Sequence, residues 1–284
     1  MAIITNQATL TYGSVVVNSN VTVGELMQVL SVTKTAVDTS YTVDDQISYA
    51  VSLVNSGAGA LEGLTVTDDL GAYPGESGTL YPLTYEPNTV RYFVNGILQE
   101  PPTVTAAEPL TLTGITVPAG GSAVLLYETA VNSRAPRDAD AQIVNTATVS
   151  GPGLSADVSA QETITAADEP ILTITKAMDP IVVQENGPLT YTFTILNTGN
   201  APVMAKTAAV VSDTFDPALQ NVTVTLNGSA LTLGTDYSYD AATGAFSTAP
   251  GVLTVDAATF QQDPVTGVWQ VTPSAATLIV AGTL

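Results

Sequence analysis

The N-terminal segment of the chain is repeated inside it, and the phase of this repeat limits the folds that the chain can adopt. Residues 1–13 read MAIITNQATLTYG and residues 142–151 read QIVNTATVSG, so that Asn6 corresponds to Asn145. An internal repeat indicates that one structural unit occurs more than once. The phase predicts that the chain begins with the last strands of one domain and stops before the last strands of another.

Five further pairs of segments repeat in the same order along the chain. They are LSVTKTA (30–36) with LTITKAM (172–178), ISYAVSLVNSG (47–57) with LTYTFTILNTG (189–199), LTVTDDL (64–70) with AVVSDTF (209–215), YFVNGILQ (92–99) with VTLNGSAL (224–231), and GGSAVLLYETAV (120–131) with PSAATLIVAGTL (273–284). We therefore predict an N-terminal donor strand or hairpin at 1–28, a β-sandwich domain at 29–170, and a second domain at 171–284 that is incomplete without a donor strand.

The local pattern of the sequence predicts an all-β protein. Short runs rich in Thr, Val, Ser and Ala alternate between apolar and polar residues, and Gly, Pro, Asn and Asp separate them, as in strands joined by turns. No stretch has a convincing apolar period of 3.6 residues. The expected architecture is a β-sandwich.

Four short motifs carry a family resemblance. In order they are xTKxx, YxxxxxNxG, a strand that ends in aspartate, and NTATV. This order resembles the conserved extracellular repeat catalogued as domain of unknown function number eleven. The resemblance implies tandem immunoglobulin-like β-sandwich domains of a bacterial surface protein. No secretory signal or wall anchor is recognisable, so the sequence leaves the export route open.

The charge balance and the missing residue types exclude several classes of function. The chain contains 6 Lys and Arg and 26 Asp and Glu, which gives a formal net charge of −20. This negative charge argues against nucleic acid and anionic membrane surfaces as partners. Histidine and cysteine are both absent, which removes disulfides, imidazole bases and Cys/His zinc sites. No run is apolar and long enough to span a bilayer. We expect no cofactor, no metal and no enzymatic turnover.

The few lysines point to one chemistry. Only three occur, and two of them, Lys34 and Lys176, occupy the same position in the first strand of each repeat. Each repeat also ends a later strand in aspartate, and Asn145 lies in a closing strand of the first domain. A buried lysine has a lowered pKa and becomes nucleophilic, while a buried carboxyl can polarise an asparagine amide and carry protons. Surface domains of the kind that this chain resembles contain such isopeptide bonds.

Two bonds are expected on this basis. The first joins Lys34 to Asn145 within the chain, with Asp68 assisting. The second joins Lys176 to Asn6 of another copy, with Asp213 assisting. The alternative is that both lysines extend to solvent and that Asn145 serves a turn.

Other candidate groups have structural explanations. The acidic pairs Asp44–Asp45, Asp68–Asp69 and Asp138 with Asp140 could supply oxygen ligands to calcium, but they lack a calcium-loop spacing, and solvated acidic loops explain them better. Trp269 is expected to pack on the sandwich, and Lys206 to lie on the surface.

An incomplete sandwich has unpaired strand edges, which a strand from another molecule can satisfy. The predicted function is therefore a structural subunit of an extracellular fibre on a bacterial cell or spore surface. Its partners are copies of itself, joined head-to-tail. The alternative is a monomeric adhesin-type stalk or binding module; composition alone also leaves open a glycosidase that uses only carboxylates.

Overall fold

The computed structural model describes residues 2–76 and 78–284, and within these ranges the chain is built almost wholly of β-strands. Buried and more exposed side chains alternate along long strands such as Gln46–Asn55, because successive side chains of a strand point to opposite faces. The one helical element in the described residues is a single 3-10 turn at Ala205–Thr207. The all-β fold predicted from the sequence is confirmed.

The strands are numbered in chain order. The first eighteen are β1 (Ala2–Asn6), β2 (Thr9–Tyr12), β3 (Val15–Asn18), β4 (Thr22–Leu26), β5 (Leu30–Ala36), β6 (Ser40–Tyr41), β7 (Gln46–Asn55), β8 (Leu61–Asp68), β9 (Tyr73–Gly75), β10 (Gly78–Leu80), β11 (Leu83–Tyr85), β12 (Arg91–Val94), β13 (Ile97–Gln99), β14 (Thr103–Ala107), β15 (Leu110–Val117), β16 (Ser122–Val131), β17 (Gln142–Ser150) and β18 (Val158–Ala166). The remaining ten are β19 (Leu172–Asp179), β20 (Pro188–Asn197), β21 (Ser212–Thr214), β22 (Gln220–Leu226), β23 (Ser229–Ala230), β24 (Tyr237–Tyr239), β25 (Ala245–Thr248), β26 (Thr259–Gln262), β27 (Trp269–Thr272) and β28 (Ser274–Thr283).

The chain forms two compact units. The first unit contains the described residues up to Pro136, together with Gln142–Thr165 and Pro264–Gly267. The second unit contains Arg137–Ala141, Ala166–Asp263 and Val268–Leu284.

The first unit is a sandwich of two six-stranded sheets. Sheet I has the order β13-β12-β16-β7-β5, with β11 also paired to β16, and sheet II has the order β14-β15-β8-β17-β18-β6. Strand β8 lies between β15 and β17, so both of its edges are paired. Side chains from both sheets form the buried core, among them Tyr49, Leu53, Leu64, Leu112, Leu125, Tyr127 and Ile143.

The second unit has one long sheet and only fragments of an opposite one. The long sheet has the order β19-β20-β28-β22-β23, and the shorter pieces are β21-β25-β24 and β26-β27. Tyr237 of β24 and Phe246 of β25 share a buried core with residues of the long sheet. Strand β21 occupies the place in the repeat that β8 has in the first unit. In contrast to β8, it is paired on one side only within the described residues.

The two units use the same strand register where their sequences repeat. On the first strand of each, Lys34 lies opposite Val51 and Lys176 lies opposite Phe193. These pairs occupy matching positions of the aligned segments, so the repeat holds at the level of single strand pairs.

One buried asparagine in each unit marks the same corner. Asn55 and Asn197 are fully buried, and the Oδ1 of each accepts the backbone N–H of the glycine two residues later, Gly57 or Gly199, at 2.9 Å. Their amide groups donate to backbone carbonyls, at 2.8 Å from Asn55 to Gly59. Because buried amides are costly when unpaired, this network fixes the turn that follows the strand.

Both units also contain the same tight hairpin turn. Asn95 and Gly96 have φ values of 49° and 79°, and Asn227 and Gly228 have 50° and 81°. Positive φ at both central residues defines a type I′ turn, which asparagine followed by glycine adopts at little cost.

Residues 2–26 form a hairpin of their own, here called the N-terminal hairpin. Strand β1 pairs with β4 and β2 pairs with β3, around a two-residue turn in which Gly13 has a φ of +59°. Positive φ at the first turn position is what a type II′ turn requires. The described side chains of this hairpin are exposed, including large apolar ones: Ile3, Ile4, Leu10, Tyr12, Val15, Val16, Val17, Val21 and Val23.

The hairpin β17–β18, here called the closing hairpin, is the counterpart of the N-terminal hairpin in the sequence repeat. Asn6 lies opposite Thr22, and Asn145 lies opposite Glu162. Both segments are antiparallel hairpins, but their registers differ, since Leu10 lies opposite Val17 whereas Val149 lies opposite Val158.

Candidate crosslink sites

Lys34 lies in the core of the first unit. It occupies an inward-facing position of β5, between the buried Leu30 and the strand end, and only 4% of it is exposed. A charged side chain is seldom buried to this degree unless it is paired. The alternative that Lys34 extends to solvent is therefore wrong.

The partner of Lys34 is Asp68, which comes from the opposite sheet. Asp68 ends β8 and is 1% exposed, and its Oδ2 accepts a hydrogen bond from the ammonium of Lys34. The ammonium also lies 4.7 Å from the ring centroid of Tyr49, close enough for a cation–π contact. The pair joins sheet I to sheet II across the core.

Asn145 completes the cluster from β17. It precedes Ala147, the partner of Asp68 across the strands, by two residues and therefore lies on the same inward face. The residue is fully buried, and neither Oδ1 nor Nδ2 forms a hydrogen bond of good geometry. An unpaired buried amide costs about 1–3 kcal/mol, so an unused asparagine at this position needs an explanation.

Two tyrosines fill the space around these groups. Tyr49 and Tyr127 lie directly opposite each other on β7 and β16, with ring centroids 5.9 Å apart. The hydroxyl of Tyr127 donates to Asp68, while the Asn145 amide lies close enough to Tyr49 to act on its pKa. We call Lys34, Asp68, Asn145, Tyr49 and Tyr127 the Lys34 cluster.

Burial controls the ionisation of the Lys34 cluster. Desolvation lowers the pKa of the Lys34 ammonium from its ordinary 10.5, and the charge of Asp68 opposes this shift. Burial raises the pKa of the Tyr49 and Tyr127 hydroxyls, so both stay protonated. Burial therefore makes the neutral amine of Lys34 easier to reach than it is for a lysine in water.

The Lys34 cluster contains the three groups that acyl transfer to an amine needs. Lys34 is the nucleophile, Asn145 carries the amide carbonyl, and Asp68 can accept and return protons. The structure pairs Lys34 with Asp68 and places Asn145 on the neighbouring strand, on the same inward face. The crosslink between Lys34 and Asn145 stays a prediction.

The lowered pKa of Lys34 predicts how stability depends on pH when no bond can form. In Asn145→Ala, Lys34 remains a free amine, and the unfolded chain binds more protons than the folded one over the alkaline range below 10.5. The contribution of Lys34 to the free energy of unfolding should therefore rise with pH in that range, while the raised pKa values of Tyr49 and Tyr127 act in the opposite direction near their ordinary value of 10. Chemical denaturation at several pH values measures it.

The matched control for this pH series is Lys34→Met in the same Asn145→Ala background. This variant retains both tyrosines and lacks the titrating amine. The slope of its free energy of unfolding against pH should therefore be smaller by the contribution of Lys34. Parallel curves for the two variants would contradict the lowered pKa.

The second unit contains most of a matching set. The ammonium of Lys176 pairs with Asp213 on β21 and lies 4.4 Å from the ring centroid of Tyr191 and 5.2 Å from that of Phe215. Tyr191 is the repeat equivalent of Tyr49. We call Lys176, Asp213, Tyr191 and Phe215 the Lys176 cluster.

The Lys176 cluster is open to solvent. The side chains of Lys176 and Asp213 are 40% and 21% exposed, against 0% and 1% for Lys34 and Asp68. The second unit contains no closing hairpin within the described residues. Asn6, the residue predicted to pair with Lys176, is exposed on the N-terminal hairpin and belongs to the first unit.

Sequence reasoning missed the two tyrosines of the Lys34 cluster. Tyr49 and Tyr127 lie in alternating strands, where an inward aromatic residue is normally part of the core. No local sequence signal distinguishes them from core residues, because their role depends on the pairing of β7 with β16, which brings the two rings together.

Two members of the acidic pairs, Asp45 and Asp69, have structural roles. Asp45 accepts the N–H of Thr42 at 2.6 Å, and Asp69 accepts the N–H groups of Gly71 and Thr146 at 2.9 and 2.8 Å. In the described part of the chain, no group of three or more acidic side chains is arranged to hold a metal ion. Lys206 is exposed, as predicted. Residues 2–76 and 78–284 include no helix of the length and apolarity that crossing a membrane requires.

No protein-family model matches the chain, and no curated protein matches it. Among solved structures, the pilus backbone RrgB of Streptococcus pneumoniae is 14% identical, with 86% of this chain and 55% of that one covered and a TM-score of 0.35. The major pilin subunit BcpA of Bacillus cereus is 11% identical, with 96% and 73% covered and a TM-score of 0.36. The collagen-binding domain of a Staphylococcus aureus adhesin is 12% identical, with 50% and 99% covered and a TM-score of 0.28.

The chain thus spans 55% of the length of the pneumococcal pilus backbone.

Proposed function

We propose that the chain is a structural subunit of an extracellular bacterial fibre and assembles head-to-tail with copies of itself. The N-terminal hairpin of one copy docks on the second unit of the next, in the place that the closing hairpin has in the first unit. One observation carries this proposal: the N-terminal hairpin repeats the closing hairpin in sequence and is also an antiparallel hairpin, and the second unit leaves exposed the pair Lys176 and Asp213, whose counterparts are buried in the first unit.

The N-terminal hairpin has the apolar surface that such docking needs. Ile4 and Leu10 are 53% and 64% exposed, whereas Ile143 and Val149, at the same positions of the closing hairpin, are 2% and 0% exposed. Fully burying one such side chain contributes about 1.5–3 kcal/mol. Docking would bury several of them at once.

The second unit offers the complementary surface. Leu172 and Ile174 on β19 lie opposite core residues of β20, yet they are 41% and 54% exposed, while Leu30 at the position equivalent to Leu172 is 2% exposed. Among the described strands β21 is paired along one edge only, so an added strand could pair with the other edge. An added hairpin would satisfy both the apolar face and the strand edge.

The proposal includes two covalent bonds, Lys34 to Asn145 within a copy and Lys176 to Asn6 between copies. In each, the ammonium gives one proton to the aspartate, and the neutral amine attacks the side-chain carbonyl of asparagine. A second amine proton passes to the departing amide nitrogen, which leaves as ammonia. The product is an isopeptide bond, and the aspartate returns its proton to solvent.

The assembly has one direction. The first unit contains its own closing hairpin over Lys34, so only the second unit can accept a hairpin from another copy. The contact therefore joins different surfaces of the two copies, and contacts of this type generate open filaments unless the rotation closes a ring. The extracellular location and membership of the repeat family named above are part of the proposal and rest on the sequence motifs.

Removing residues 1–28 tests the assembly. The truncated protein should keep the first unit folded, because strands β1 to β4 pair only with each other in the described chain, and it should remain monomeric. Wild type should form filaments whose length grows with concentration. Electron microscopy and light scattering measure both.

A peptide of residues 1–28 is the matched control. Added in excess to wild type, it should shorten the filaments by occupying the second unit of free subunits. Filaments of the same repeat from the truncated protein would show that the hairpin is not the donor. A wild type that is monomeric at every concentration would favour the stalk or binding module.

A further inference from the structure

The carboxylate of Asp68 is held by three donors. Its Oδ1 accepts the backbone N–H of Leu70 at 3.0 Å, and its Oδ2 accepts both the hydroxyl of Tyr127 and the ammonium of Lys34. The backbone contact alone fixes one oxygen. The tyrosine fixes the other, which is the oxygen that must exchange protons with Lys34.

Tyr127 is suited to act as a permanent donor. It is 2% exposed, and its ring is stacked on Tyr49, so the hydroxyl has little freedom to turn away. Burial, followed by the charge of Asp68, raises the pKa of this hydroxyl well above its ordinary 10, so it does not ionise near neutral pH.

The second unit lacks this hydroxyl. Tyr191 lies opposite Val280, as Tyr49 lies opposite Tyr127, so Val280 takes the place of Tyr127. The ring of Phe215 stacks on Tyr191 at 4.8 Å. In the described part of the chain, no side-chain hydroxyl donates to Asp213.

We propose that Tyr127 is a positioning residue of the intramolecular crosslink, which fixes Oδ2 of Asp68 between Lys34 and Asn145. This inference rests on the proposed bonds. Because Val280 supplies no such hydrogen bond, the bond between copies forms more slowly than the bond within each copy. A subunit therefore locks its own first unit before it is joined covalently to the next.

Tyr127→Phe tests the role, since it removes the hydroxyl and retains the ring. The test uses full-length protein with Asn6→Ala, which cannot join other copies covalently. It is made by cell-free translation, samples are quenched in acid at intervals, and the intact mass is measured by mass spectrometry. The fraction that has lost one ammonia should grow about tenfold more slowly in Tyr127→Phe, the value of one lost hydrogen bond. An equal or faster rate overturns the proposal, whereas no ammonia loss with Tyr127 present refutes the bond itself.

Moving the hydroxyl to the second unit gives a readout that a purely structural role would not change. Val280→Tyr with Phe215→Leu reproduces the pair Tyr127 and Leu70 of the first unit. In a chain with native Asn6, this variant should form boiling-resistant dimers faster than wild type. If the variant binds the 1–28 peptide as wild type does but forms boiling-resistant dimers no faster, the proposal is overturned. If it fails to bind the peptide, the rate of ammonia loss in Tyr127→Phe decides whether the proposal holds.

Discussion

After boiling in detergent, the wild-type protein is expected to run as a ladder of multimers, and Asn6→Ala and Lys176→Ala are each expected to run as monomers. Strand pairing and apolar burial do not survive these conditions, so only a covalent bond leaves a ladder. Each substitution removes one of the two groups that the bond joins. The expected effect is complete loss of the ladder on a denaturing gel.

Lys206→Ala is the matched control for the gel, because Lys206 is exposed and takes no part in either cluster. It should leave the ladder unchanged. Electron micrographs of Asn6→Ala should still show filaments, since its hairpin retains Ile4 and Leu10 for docking. A wild type that runs only as monomer after boiling refutes the bond between copies and leaves the docking of the hairpin intact.

The crosslink within the first unit is expected to have the largest effect on stability. In the Asn6→Ala background, the intact denatured mass should be lower by one ammonia than the mass calculated from the sequence, and Lys34→Ala or Asn145→Ala should restore the calculated mass. A bond between these residues closes a loop of more than 100 residues. By analogy with disulfides, such closure contributes roughly 4–5 kcal/mol.

The melting temperature of the first unit should therefore fall by about 10–20 °C when the bond is prevented. The double substitution Lys34→Met with Asn145→Leu removes the bond without leaving an unpaired amine or amide, because it replaces both polar side chains by apolar ones of similar size, while Asp68 keeps its hydrogen bonds from Leu70 and Tyr127. If this variant melts at the wild-type temperature, the bond adds little to stability.

The sequence predicts those residues of the candidate sites that occur at equivalent positions in both repeats. Lys34 and Lys176 fall at one position of the aligned segments, and so do Asp68 and Asp213, because a repeated fold places equivalent residues at equivalent sites. The register of β5 on β7 and of β19 on β20 follows from the same alignment. The alternation of side chains was enough to predict the all-β fold class.

The rest depends on pairing between strands that are distant in sequence. Tyr127 meets Asp68 only because β16 pairs with β7 in sheet I while β8 lies in the opposite sheet, and no local pattern encodes that meeting. The aligned segments show that Val280 stands where the first repeat has Tyr127. The importance of this difference becomes clear only once the hydrogen bond from Tyr127 to Asp68 is known. The solvent exposure of the Lys176 cluster likewise depends on which strands β21 lacks.

The position of Lys34 in an early strand and of Asn145 in the closing hairpin determines how a fibre would respond to being pulled. With both bonds formed, tension enters a subunit at Asn6 and leaves it at Lys176. Between these points it passes along the chain to Lys34, crosses directly to Asn145, and continues along the chain. Residues 35–144, which include most strands of sheets I and II, lie outside this route. Stretching the fibre would therefore not unfold them.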